Sequence, residues 1–427
     1  MMLGTGERRH MSLAARVPAL APFGVRSFRF QWPADLATAW AFEMETLILG
    51  WYMLVETGSV VMLAVFGSLQ FLGTLVAPLF GVAGDRIGYR NLLCLMRAAY
   101  AVLSAILMVL FFSGTATPAT VFAVALVAGT IRPSDLVMRN VLIGDTMPAG
   151  LLMQAMGVSR TTMDSARVAG ALAGAGLVAT VGMGSAYIAV CGFYVLSFLL
   201  TLGVAGGGAY GTSGVIAART SPLHDLRAGL AYIWATPPLR ATMYLAFLVN
   251  LTVFPLTGAL LAHVAKDIYH LDQRGLGWLV ASFAGGALIG SIALTLRGAA
   301  IRPARIMLVF GVLWYAATIA FAFVREPVWG CVILLFAGLV QSLCMVPMAV
   351  ALLRTVPAAL RGCIMGVRML AVYGYPVGLL AAGPLIERFG FTATASTYCV
   401  VGLVFLLVIA VRWRAHLWRT DAAANTV

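Results

Sequence analysis

The chain has 427 residues, 62% hydrophobic and only 10% charged, whereas ordinary soluble domains carry about 25% charged residues. Its net charge of +13 comes from 27 Arg and a single Lys, Lys266, and these cluster in alternate loops between apolar runs. That is the sorting expected of membrane topology, so the composition excludes a soluble domain and gives no reason to expect nucleic acid as a partner.

The first 33 residues hold Arg8, Arg9, Arg16, Arg26 and Arg29 but no compact apolar core of a secretory signal. They are expected to stay in the cytoplasm. A membrane span needs about 20 mainly apolar residues, and twelve stretches satisfy this: 34–55, 57–80, 91–113, 119–143, 152–180, 184–206, 239–262, 275–297, 303–324, 328–354, 361–384 and 394–413. Loops after even-numbered stretches carry Arg86 and Arg90, then Arg219, Arg227 and Arg240, then Arg302, then Arg361. The opposite loops are uncharged, acidic or balanced, which places both termini, including the 414–427 tail, in the cytoplasm, and the expected location is the cell inner (plasma) membrane.

Between the sixth and seventh stretches, residues 207–238 open Gly-rich and continue with apolar residues at 223, 226, 230 and 233, bounded by Pro222 and Pro237. This spacing predicts a short amphipathic helix that links two bundles, 34–206 and 239–413. The bundles read as copies. TMPAGLLMQAMGV (146–158) and TVPAALRGCIMGV (355–367) agree at seven of thirteen positions, and Arg160, Gly170 and Gly182 match Arg368, Gly378 and Gly390 at one offset. The predicted fold is therefore an all-α integral membrane protein with twelve transmembrane helices in two pseudo-repeated six-helix bundles, an architecture that puts a substrate site between the repeats.

Charges inside the apolar stretches are costly, at about 2.5–3.5 kcal/mol each on insertion scales. Glu43 and Glu45 lie in the first stretch. Arg132, Asp135 and Arg139 share one face of the fourth, and Arg160, Asp164 and Arg167 one face of the fifth. The two Arg-Asp-Arg ladders leave a surplus of two positive charges that Glu43 and Glu45 balance, which predicts one neutral cluster. Glu43 and Glu45 project about 200° apart, so one is expected to join an ion pair and the other to face a cavity. Glu43, Glu45 and Asp164 are the candidates for a proton carrier, with purely structural ion pairing as the alternative. If the ladders line the cavity, their positive wall favours neutral or anionic ligands over cations. The second half offers Asn250, Gln341, Arg368, Tyr373 and Tyr375 as candidate cavity residues.

Other chemistry is not indicated. The six Cys stand singly, and His263, Asp267, His270 and Asp272 are spaced too loosely to assign a metal. No GxxxxGK nucleotide loop and no catalytic Ser/His/Asp or Cys/His set occurs, so neither an enzyme nor an ATP-driven pump is expected. No cofactor is called for, with a proton gradient as the energy source.

GVAGDRIGYR (81–90), between the second and third stretches, resembles the signature of the major facilitator superfamily in the same loop. The resemblance implies a cytoplasmic gate of Gly81, Asp85, Arg86, Gly88 and Arg90, with Asp85 latching onto the start of the eleventh span near 362–365. SFRFQW (27–32), VETGS (55–59), RNVLIGDTMP (139–148), SARVAG (165–170) and LRAGLAYIW (226–234) further resemble the enterobactin exporter and drug-efflux branch. Ala171 stands where those proteins have a proline. This implies proton-coupled export of a small amphipathic molecule by alternating access, from a monomer in the bilayer. Uptake, lipid flipping, or a non-transporting receptor on the same scaffold are the alternatives.

Overall fold

The computed structural model describes residues 18–74, 76, 80, 83–84, 86–205, 230–297, 303–355, 368 and 371–414. Gly81 and Asp85 of the gate motif, residues 355–367 apart from Thr355, most of the linker and nearly all of the tail lie outside these residues. Everything described is helix or connecting turn, with no strand among the described residues.

A short 3-10 turn, Pro18–Gly24, leads into α1, Arg26–Thr57, a 32-residue helix. It starts eight residues earlier than the apolar run suggests, because Phe28 and Gln31 are buried against neighbouring helices. Ser59 begins α2, Val60–Leu69, by accepting a hydrogen bond from the Met62 N–H. There follow α3, Tyr89–Phe112, and α4, Pro118–Thr146. Thr117 and Thr120 cap α4 reciprocally, and Pro118 sits at its first position, where its missing N–H costs nothing. A long run, α5, Ala149–Leu202, is broken at Gly182.

The C-terminal part comprises α6, Pro237–Leu251, a short helix Val253–Thr257, and a turn of π-helix at Val264–Ile268. It continues with α7, Gln273–Arg297, α8, Pro303–Phe323, α9, Pro327–Thr355, α10, Gly374–Phe389, and α11, Phe391–Arg412. Gly182 and Gly390 both have φ +80°, with ψ 170° and 164°. No residue with a Cβ adopts this backbone readily. At each, one helix ends and the next begins without a loop. Among the described residues, seven helices are long and apolar enough to cross a membrane.

Packing uses small residues where backbones cross, as expected when lipid supplies no hydrophobic drive between helices. A Cβ on Gly170 would stand 2.7 Å from Glu43 Cβ, and one on Gly174 would stand 3.0 Å from Met44 Cα. α5 is therefore pressed onto α1 at the acidic stretch. One apolar core fills the N-terminal helices around Met44, Ile48, Tyr100 and Tyr194. A second fills the C-terminal helices but also takes in Leu54, Leu63, Ala64, Ala171 and Ala175 from the N-terminal ones, so the two sets are fused along α2 and α5.

Candidate functional site

Where α1 turns into α2, the two sets of helices are tied by polar contacts. Ser59 Oγ donates to Glu387 Oε1 at 2.7 Å, and the same oxygen accepts from the Val61 N–H at 3.3 Å. An anion thereby meets the first N–H groups of α2. Lys266 Nζ donates to the Leu54 carbonyl at 3.0 Å, so a cation meets the last carbonyls of α1. Both contacts complement the helix dipole. Leu379 also covers Gly67 so closely that a Cβ there would stand 2.6 Å from its Cδ2.

Beneath this closed end is a cavity of about 500 Å³ between the N-terminal and C-terminal helices. Its N-terminal wall carries the charges: Glu43, Arg132, Asp135, Arg139 and Arg167. Its C-terminal wall, formed by residues such as Phe254, Leu276, Val280, Phe283 and Tyr375, carries none among the described residues.

Glu43 Oε1 is 3.5 Å from Arg167 Nε, and both side chains remain partly exposed. Glu45 points away from this pair: Tyr194 donates its hydroxyl proton to Glu45 Oε2 at 2.8 Å. Of the three carboxylates proposed as proton carriers, Glu43 alone lines the cavity; Glu45 borders a separate small cleft with Gln70 and Arg132. Asp164 pairs with Arg160 at 3.5 Å, one turn along α5, with the Arg160 side chain 71% exposed. The expected single cluster is thus divided. Glu43 both pairs and faces the cavity, where the sequence suggested one role for each Glu, because α5 rather than the α4 ladder lies against it.

The most buried ionic group includes two residues the sequence reading did not single out. Asp35 on α1 pairs with Arg97 on α3, which is fully buried and also donates to Thr201. Asp35 Oδ1 lies 3.7 Å from Arg139 Nε, which in turn is 2.5 Å from Asp135 Oδ1. The chain Arg97, Asp35, Arg139, Asp135 is electrically neutral. Gln31 adds a bond to the Arg139 carbonyl at 3.0 Å.

Arg132 is held differently. It donates to Gln70 Oε1 at 2.5 Å and, through Nη2, to the Phe42 carbonyl and Thr46 Oγ1, both at 2.9 Å. Its Cζ lies 4.0 Å from the centre of the Phe42 ring.

Of the C-terminal candidates, Tyr375 is buried in the cavity wall, its hydroxyl accepting from the Ala259 N–H at 3.2 Å. Tyr373 reaches across to the Phe71 and Leu72 carbonyls at 3.3 and 3.4 Å. Asn250 instead bonds the Ala246 carbonyl of its own helix at 2.8 Å, and Gln341 is buried in α9. Neither borders the cavity. Arg368 is half-buried on the segment before α10.

In the gate motif, Gly88 precedes α3 with φ +86° and Arg86 is exposed. Arg90 donates to the Leu202 carbonyl at the end of α5. His263 Nδ1 and Asp267 Oδ2 are 2.7 Å apart at the closed end. Burial holds the His263 imidazole below its ordinary value of 6.5 against the opposing pull of Asp267.

Residues 34–372 match the Major Facilitator Superfamily, and the chain belongs to that family. It is a multi-pass membrane protein with a transport role. Solved structures with the same fold include the nucleoside transporter NupG, with TM-score 0.66 and 16% identity over 92% of this chain and 99% of that one. The POT family transporter PepTSo matches with TM-score 0.69 and 14% identity over 92% and 99%. The human organic anion transporter MFSD10 (TETRAN) matches with TM-score 0.62 and 17% identity over 90% and 99%. No curated protein sequence matches this chain.

Proposed function

We propose that the chain is a proton-coupled exporter of a small amphipathic molecule. It works by alternating access in the inner (plasma) membrane, with twelve spans in two six-helix bundles and both termini cytoplasmic. The observation that carries this reading is the cavity between the two helix sets, closed at one end and holding a carboxylate, Glu43, beside a partly exposed Arg167. A carboxylate so placed can exchange its proton with whichever side the cavity opens to, and an arginine beside it makes that exchange sensitive to what else occupies the cavity. The shared backbone of Gly182 and Gly390 supports the repeat. Glu43 is the preferred carrier. Glu45, bonded to Tyr194, ties α1 to α5, and Asp164 pairs with Arg160 within α5, so neither is free in the cavity.

Uptake is the second reading, favoured by the cavity's three arginines against two acids. An anion that draws Arg167 from Glu43 leaves that carboxylate to be neutralised by a proton, so ligand and proton would travel together. Flux measured in proteoliposomes under pH gradients of either sign separates the two. Glu43→Gln is expected to abolish the proton dependence of flux with protein level unchanged. Full proton-driven flux in that variant would remove Glu43 from coupling.

A further inference from the structure

We infer, building on the transporter reading, that the ligand is a small amphipathic monoanion whose acidic group docks on Arg132 and whose apolar body lies on the C-terminal wall. Most of the cavity's charges are already paired. Asp135 is taken by Arg139 at 2.5 Å and Glu43 by Arg167 at 3.5 Å. Arg132 is held by neutral acceptors alone, namely an amide oxygen, a hydroxyl and a backbone carbonyl. Among the described residues no carboxylate forms an ion pair with it within 4.0 Å.

A half-buried guanidinium that no carboxylate contacts directly is compensated only in part, by dipoles and at longer range by Glu45, which borders the small cleft behind it. Its orientation is nevertheless fixed. Three of the roughly five N–H donors that a guanidinium offers are engaged, and the Phe42 ring supports one face. A charged group held in place before the ligand arrives loses little entropy on binding. It also prefers a carboxylate or a similar oxyanion to a neutral group.

The opposite wall decides the rest of the molecule. Phe254, Val280 and Phe283 present an uncharged apolar surface, which favours hydrocarbon or aromatic bulk that leaves water on binding. A volume of about 500 Å³ admits one small ligand. A cation of the same shape would meet three guanidiniums and two acids already in use. An uncharged analogue would keep the apolar contact and lose the Arg132 bond.

The test uses the purified full chain and three probes of equal length: 5-phenylpentanoate, 5-phenylpentan-1-ol and 5-phenylpentylamine. The carboxylate is expected to bind about ten-fold or more tighter than the alcohol and the amine. Arg132→Gln should bring its affinity down to that of the alcohol, while Arg132→Lys keeps part of the preference. Equal binding of all three probes, tighter binding of the amine, or no binding of any at millimolar concentration would overturn the inference. So would an unchanged carboxylate affinity in Arg132→Gln. The probe series on the unmodified chain decides the matter even if that variant misfolds. Selective binding of the carboxylate with no flux of any of the three probes would leave this docking site standing and count against proton-coupled export of this ligand class. Flux of the amine alone would do the reverse.

Discussion

Replacing Asp35 by Asn keeps the shape of the side chain and removes one charge from the most buried ionic group among the described residues. Asp35 is 5% exposed and Arg97 0%. Asn at this position can still accept a hydrogen bond through its amide oxygen, but it leaves Arg97 without a carboxylate partner and Arg139 with Asp135 as its remaining one among the described residues. Breaking a buried pair by removing one partner costs about 3–5 kcal/mol, because the surviving charge stays buried without compensation. Arg97→Gln should cost a similar amount by stranding Asp35, which retains only the more distant contact with Arg139 at 3.7 Å. The double variant removes both charges, so its loss should be well below the sum of the two single losses, with a coupling of about 1–3 kcal/mol. Thermal unfolding of the purified protein in detergent, scored for all four members of the cycle, reads this directly. Single variants that melt with the unmodified protein, or additive losses in the double variant, would refute the view that the pair is dry and mutually dependent.

Further outcomes follow from the same geometry. Gly170→Val places bulk against Glu43 Cβ, where even a Cβ would stand at 2.7 Å, and overpacking of this kind costs about 1–3 kcal/mol. The expected result is a lower melting temperature together with weakened proton dependence of flux, whereas Gly176→Ala, with open space around its Cβ, should leave both intact. For His263 the sign is fixed by its depressed proton affinity in the folded state. The unfolded chain takes up the proton first as the pH falls, so stability held above about pH 6.5 declines below it. His263→Phe should flatten the melting temperature between about pH 7 and 5 relative to the unmodified protein, and an unchanged pH profile in that variant would contradict the assignment.

The helical class, the family and the local ion pairs were legible in the sequence because they depend on short-range spacing. Asp135 with Arg139 and Arg160 with Asp164 are both four residues apart on one helix, and both meet in the structure. Asp35 gives no such signal, because it stands at the very edge of the apolar run, where a charge carries no mark of burial. In the structure α1 starts at Arg26, carrying Asp35 more than two turns inside, and its partner Arg97 comes from α3. That pairing is purely tertiary.

The divergence of Glu43 and Glu45 could be read from helical geometry, but the partner of each could not. Arg167 and Tyr194 come from opposite sides of the Gly182 break in α5. Arg132 had been grouped with Asp135 by its spacing of three, yet Asp135 is held by Arg139. The acceptors that hold Arg132 instead, Gln70, Thr46 and the Phe42 carbonyl, are uncharged and carry no recognisable pattern. Asn250 and Gln341 looked like cavity residues because they are polar within apolar helices. Asn250 satisfies its amide on its own helix, and neither faces the opening.

The central claim is that the cavity opens alternately at its two ends, and the contact between Ser59 and Glu387 offers the most direct test of it. Ser59 Oγ and Glu387 Oε1 are 2.7 Å apart at the closed end, on helices that must separate if that end is to open. With Ser59→Cys and Glu387→Cys introduced into a chain whose own cysteines are replaced, a short thiol-reactive cross-linker should stop flux in proteoliposomes, and a cleavable version should restore it on reduction. Full flux through quantitatively cross-linked protein would contradict the account.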